Sequence, residues 1–133
     1  MSKLRPRILL LEPNQHVARR AKEHLVAAGY DTSWSKNAQD AINLADQHAP
    51  DLVIMELLLT AHSGIEFLYE FRSYSEWRAV PAIIFSRITR AELSVSDKVL
   101  ADLGVVTFLY KPNTSLNRLE ARAAAALAVR ERA

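Results

Sequence analysis

Five apolar runs, Ile8 to Leu11, Asp31 to Trp34, Leu52 to Met55, Ala82 to Phe85 and Val105 to Leu109, recur roughly every 25 residues. Each is followed by a stretch whose apolar residues return at helical spacing, an alternation that builds βα units around a parallel sheet. The first, third and fourth runs are nearly continuous aliphatic, as strands covered by helices on both faces must be. Asp31-Thr-Ser-Trp34 is polar enough to lie at a sheet edge. The expected fold is α/β: a (βα)5 doubly wound parallel sheet of five strands in a three-layer αβα arrangement. At 133 residues the chain has the size of one such domain, and a single domain with no output domain is expected.

Helix boundaries are written locally. Asn14 opens helix one and Gly29 closes it, with Val17, Ala21, Leu25 and Ala28 as its apolar face. Helix two begins at Asn37. Ser63-Gly-Ile-Glu66 and Thr89-Arg-Ala-Glu92 have capping-box form and are expected to open helices three and four. The Ala-rich last helix runs from about Asn113 into the Arg130 region, with Leu116, Leu119, Ala123 and Leu127 toward the core, and Asn113-Thr-Ser115 serves as its cap. Of the aromatics Phe67, Tyr69, Phe71 and Tyr74, Phe71 faces the core from helix three with Leu68, while Phe67 and Tyr74 crowd its flanks, where an exposed aromatic pair would mark a binding patch. Trp34 and Trp77 read as packing residues.

Composition removes whole classes of function. Three dispersed glycines write no phosphate-cradling loop or nucleophile elbow. The absence of cysteine rules out a disulfide scaffold or zinc-thiolate site and fits a cytoplasmic protein. No segment reads as membrane-spanning. Seventeen Lys and Arg against fifteen Asp and Glu leave a net charge of only +2, and the arginines are interspersed with acids, so no nucleic-acid stripe is expected. His16, His24, His48 and His62 lack metal-ligand spacing; His62 alone sits in a loop beside the expected crevice.

In a doubly wound sheet the functional crevice lies outside the carboxyl ends of the strands. The residues there are Glu12-Pro13-Asn14, Glu56-Leu57-Leu58, Ser86-Arg87 and Tyr110-Lys111-Pro112. Two acids, a hydroxyl and a Lys-Pro pair, far apart in sequence, converge. With Arg7-Ile-Leu-Leu-Leu-Glu12, Pro50-Asp-Leu-Val-Ile-Met-Glu56, Val80-Pro-Ala-Ile-Ile-Phe-Ser86 and Phe108-Leu-Tyr-Lys-Pro112, the chain resembles the response-regulator receiver domain of two-component signalling over essentially its whole length. The resemblance implies a flavodoxin-like fold and a role in phosphorelay signalling, not catalysis.

Receivers of this kind hold Mg²⁺ with an acidic pair after strand one and accept a phosphoryl group on an Asp after strand three. A Ser or Thr after strand four and a Lys after strand five bind the phosphoryl oxygens. Carried over by position, the acidic pair becomes Glu12 and Pro13, the acceptor Glu56, the hydroxyl Ser86 and the lysine Lys111, followed by Pro112. The switch aromatic becomes Phe108. Glu56 places its carboxylate about 1.5 Å further from the backbone than an Asp, which forfeits the positioning that in-line transfer needs. Pro13 removes one metal-binding acid, leaving Glu12, Glu56 and the Leu58 carbonyl for a cation that demands octahedral oxygen ligation, so Mg²⁺ binding is expected to be weak and no other cofactor is implied. Glu56 can instead reach Ser86 and Lys111, either imitating part of the phosphorylated state or forming a structural ion pair.

The expectation is a pseudo-receiver that binds a protein partner through the helix four, strand five and helix five surface, where Tyr110 could be displayed, or through the crevice. A histidine kinase, another signalling protein or a second copy would be the partner. The alternatives are a phospho-accepting receiver and, disfavoured by the turn after strand one, a flavodoxin-like cofactor-binding enzyme.

Overall fold

The computed structural model describes residues 5–132. Its five strands are β1 (Arg7–Leu11), β2 (Asp31–Ser35), β3 (Leu52–Met55), β4 (Ala82–Ser86) and β5 (Val105–Tyr110). They alternate with α1 (Gln15–Ala27), α2 (Ala38–Gln47), α3 (Gly64–Ser73), α4 (Asp97–Asp102) and α5 (Leu116–Arg132). All strands pair in parallel in the order β2-β1-β3-β4-β5, so the chain reverses its winding direction between β1 and β3. Asp31-Thr-Ser-Trp34 is the start of an edge strand, as its polarity predicts. No helix among the described residues is long and apolar enough to cross a membrane.

The period-two alternation of each central strand divides the core between two layers. Ile8, Leu10, Leu52, Ile54 and Ile83 point toward the layer with Ala21, Leu25, Leu119 and Ala123 of α1 and α5. Leu9, Leu11, Val53, Met55 and Ile84 face Ile42, Phe67, Leu68 and Phe71 of α2 and α3. Trp77 stacks on Phe71 with ring centroids 4.8 Å apart and is buried. Phe67 is buried as well, so it belongs to the core and not to the flank expected for it. Only Tyr69 and Tyr74 stay exposed there. Arg72 ties α3 to the turn that launches β5, donating from Nε to the Leu103 carbonyl at 2.7 Å and from Nη1 to the Trp77 carbonyl at 2.6 Å.

Asn14 caps α1 by accepting the His16 and Val17 amides, and Gly29 after it has φ of +101°, the left-handed conformation that glycine adopts without strain. The buried stripe of α1 is Ala18, Ala21 and Leu25; Ala28 lies outside the helix and is exposed. Ser63 and Glu66 form the capping box of α3.

Two boundaries differ from expectation. The Thr89–Glu92 box closes only a 3-10 turn, Arg90–Glu92, and α4 starts afresh at Asp97 under a Ser96 cap, because the intervening backbone at Leu93 turns extended. The last helix starts at Leu116, not near Asn113: Lys111–Asn113 forms its own 3-10 turn around Pro112, and Ser115 accepts the Arg118 amide at 3.1 Å.

Gly64 is where the crevice loop folds back on the sheet. A Cβ there would lie 2.8 Å from the Leu57 Cα and 2.8 Å from the Met55 Cε, and the first of these belongs to backbone that cannot step aside. Gly64→Ala should therefore lower stability by about 1–2 kcal/mol, overpacking outweighing alanine's better helix propensity. A urea midpoint unchanged or raised, with m unchanged, would contradict this packing.

Candidate functional site

The strand register sets the site. Leu11 pairs with Met55, and β4 pairs with β5 from Ile83 to Ser86, so Glu12, Glu56, Ser86 and Lys111 all emerge at one edge of the sheet. Glu12 and Glu56 are buried, with side chains 2% and 0% exposed. Carboxylates so removed from water need partners for each oxygen.

They have them. The Lys111 Nζ donates to Glu12 Oε1 at 2.6 Å and to Glu56 Oε1 at 2.8 Å, standing between the two carboxylates. Glu12 Oε2 accepts the Asn14 amide at 3.1 Å. Glu56 Oε1 also accepts the Arg87 amide at 3.1 Å, and its Oε2 accepts the Leu58 amide at 3.1 Å together with a short hydrogen bond from the Ser86 hydroxyl. Burial pushes the Glu56 carboxyl up, but the hydrogen bonds from Lys111, Ser86 and the Leu58 amide outweigh it and hold the group below the usual carboxylate range. The Lys111 ammonium further lies 5.3 Å from the centre of the Phe85 ring.

Each of these groups is aimed by a local feature. The Glu12 amide donates to the Ser35 carbonyl at 2.9 Å, and the Trp34 indole donates to the Glu12 carbonyl at 2.8 Å, so the residue is pinned from the edge strand. The Glu56 amide donates to the Leu11 carbonyl at 3.0 Å. The loop after Glu56 is closed by an isolated bridge between Leu58 and Ser63. The short turn around Pro112 takes the chain away from the crevice just after Lys111.

Of the residues singled out in the sequence, Glu12, Glu56, Ser86 and Lys111 meet in one hydrogen-bonded cluster. Pro13 follows Glu12 directly, half-buried and without a carboxylate; Pro112 is exposed in its turn. Leu58 contributes its amide to the cluster. Phe108 is half-buried against the core under α2, α3 and α4, and its side chain is not part of the cluster. Tyr110 is half-buried and its carbonyl accepts the Thr114 hydroxyl at 2.7 Å. His62 is exposed on the rim, 3.8 Å from Glu66. Sequence reasoning missed the three backbone amides of Asn14, Leu58 and Arg87 and the Trp34 indole. Amide direction has no residue-level signature.

This arrangement of strand ends recurs in known proteins. The family model for the response regulator receiver domain matches residues 8–124. The polar-differentiation response regulator DivK of Brucella anthropi is 26% identical over 105 residues, covering 79% of this chain and 83% of that protein. The KDP operon transcriptional regulatory protein KdpE of Escherichia coli is 33% identical over 121 residues, 90% of this chain but only half of that protein's length. Among solved structures, a sensor protein from Polaromonas sp. JS666 superposes with a TM-score of 0.85 at 25% identity, covering 95% of this chain and 98% of that one. A CheY-like receiver domain protein from Methanospirillum hungatei superposes at 0.84 with 17% identity, covering 96% and 98%, which speaks for the fold alone. With the sheet order, the converging strand ends and a family match along most of its length, the chain belongs to the response regulator receiver family.

Proposed function

We propose that this receiver domain signals by protein–protein contact in a conformation set by Glu56, without accepting a phosphoryl group. The observation that carries the reading is the occupancy of the pocket: every oxygen of the two buried carboxylates already has a donor. An acceptor carboxylate must present a free oxygen to the incoming phosphorus, in line with the leaving group. Glu56 spends both oxygens on internal donors. Ser86, Lys111 and the Leu58 and Arg87 amides, which could stabilise a transferred anion, serve the Glu56 carboxylate instead.

The same geometry supports weak Mg²⁺ binding. A hard cation needs several oxygen ligands at short range, and the Lys111 ammonium stands between the two carboxylates that would supply them. Among the described residues no group of three or more His, Cys, Asp or Glu side chains gathers to hold a metal. Pro13 supplies no third acid. Receiver domains engage other signalling proteins such as kinases, and we assign the contact here to the surface of α4, β5 and α5 or to the crevice rim. A second copy of the chain is a further candidate for that surface.

Incubation with acetyl phosphate and Mg²⁺ should leave the intact mass unchanged and should not move the backbone resonances of Ser86 and Lys111. A stoichiometric phosphoryl adduct would overturn the reading in favour of a working phospho-acceptor. Glu56→Asp should recover Mg²⁺ binding in part only, because Pro13 still withholds a ligand; titration of those resonances with MgCl₂ measures it, and full recovery in the single variant would show Pro13 to be irrelevant.

The lowered Glu56 carboxyl fixes the sign of an acid dependence. Its contribution to stability is complete above the unfolded carboxylate pKa of about 4.3 and is lost as pH falls from there through the lower folded value. Glu56→Gln should cost about 2 kcal/mol at pH 7, less than a fully orphaned buried charge because Lys111 keeps Glu12, and should flatten the acid limb of the stability profile. Urea midpoints between pH 3 and 7 for both proteins check this, and parallel acid limbs would refute it.

A further inference from the structure

The segment from Thr89 to Asp102 carries two complete helix N-termini, seven residues apart. At the first, the Thr89 hydroxyl accepts the Glu92 amide at 3.3 Å and the Glu92 carboxylate accepts the Thr89 amide at 2.8 Å. Ile88 and Leu93 occupy the positions of a hydrophobic staple, and both pack on the core. At the second, Ser96 accepts the Val99 amide at 3.2 Å, with Val95 and Leu100 in the staple positions and again packed on the core. Between them the helix is interrupted.

The interruption is held by one side chain. Arg90 donates from Nη1 to the Leu93 carbonyl at 3.3 Å and from Nη2 to the Val95 carbonyl at 2.7 Å, and the same nitrogen lies 2.6 Å from the Asp97 carboxylate. In a continuous helix from Thr89, those two carbonyls would accept the amides of Asp97 and Val99. The Arg90 guanidinium takes the place of the missing helical donors, and the Ser96 hydroxyl takes the place of the missing acceptor for Val99. The Leu93 and Val95 carbonyls and the Val99 amide thus have a partner in either arrangement. A seven-residue step is two turns less about 20°, so lengthening α4 back to Thr89 keeps Leu93, Leu100 and Leu103 on one core-facing stripe. The helix would grow by about 10 Å.

We infer that residues 89–102 form a two-state helix: a short form capped by Ser96 and clasped by Arg90, and a long form capped by Thr89 when the clasp opens. The device requires no chemistry at Glu56. It begins two residues after Arg87, whose amide holds that carboxylate, and ends at the turn before β5. A partner that binds the α4 surface, or that offers Arg90 a better anion than Asp97, selects the length of α4 with the crevice unchanged.

Backbone NMR on the full chain tests this through Cα secondary shifts and amide exchange at residues 91–96. Ser96→Ala removes the inner cap and should move the equilibrium about five-fold toward the long form, raising helical shifts and protection at Ala91 to Val95. Arg90→Gln, at a partly exposed side chain, should act in the same direction. Thr89→Ala should not. Extended-chain shifts at residues 91–95 in both Ser96→Ala and Arg90→Gln, with fraying of 97–102 as the only effect, would overturn the inference.

Discussion

The Lys111 ammonium is the charge around which this fold closes. It stands 2.6 Å from one buried carboxylate and 2.8 Å from another, groups contributed by residues 99 and 55 positions away in the chain. At about 2.8 Å and an effective dielectric near 20, each attraction is on the order of 6 kcal/mol before desolvation is subtracted. Most of that is consumed by taking the ions out of water. The lowered Glu56 carboxyl shows which side wins at that residue: burial opposes ionisation, and the donors overcome it. Removing the ammonium would leave two negative charges facing one another in a dry cleft. The register of β1, β3 and β5 matters to function because it delivers this third charge on time.

On the proposed reading, one methylene then decides what the pocket can do. A carboxylate carried further from the backbone extends into the space where donors converge, and there it meets the Ser86 hydroxyl and the Leu58 and Arg87 amides. A shorter acid would leave that space for something else. The Glu56 side chain fills the pocket covalently, at the fixed local concentration of an attached group, so any external anion competes with an intramolecular one. On the proposed reading the pocket is permanently occupied by its own residue, and what distinguishes one state of the protein from another must lie elsewhere on the surface.

The layers of the sheet were legible because apolar run length and period-two alternation are themselves the packing instructions, and Ile8 to Leu11 or Leu52 to Met55 admit no other use. The helix starts at Asn14, Asn37 and Ser63 were legible for a similar reason, since the cap side chain and the amide it accepts are neighbours in sequence. The converging strand ends could be named as Glu12, Glu56, Ser86 and Lys111 once the topology was assumed. What escaped were features decided by longer-range competition. Phe67 is buried because the Trp77 and Phe71 stack completes a wall on which it rests, and no spacing within α3 announces Trp77. The start of α5 slipped to Leu116 because Pro112 prefers its own short turn. The amide donors of the pocket escaped entirely, since every residue owns an amide and only the fold says where it points.

The misplaced start of α4 is of a different kind. The Thr89 capping box forms in the structure, staple included, but it opens only a 3-10 turn, and a second cap at Ser96 starts α4 seven residues on. Local rules do not contradict the structure here; they are satisfied twice, and a tertiary contact, the Arg90 clasp, arbitrates. A segment that carries two local solutions differs from a poorly specified one, because each start has its own cap and staple. Such degeneracy at the one helix adjoining both the strand end that holds Glu56 and the exposed edge strand β5 places adaptability beside a crevice that is itself fixed by charge.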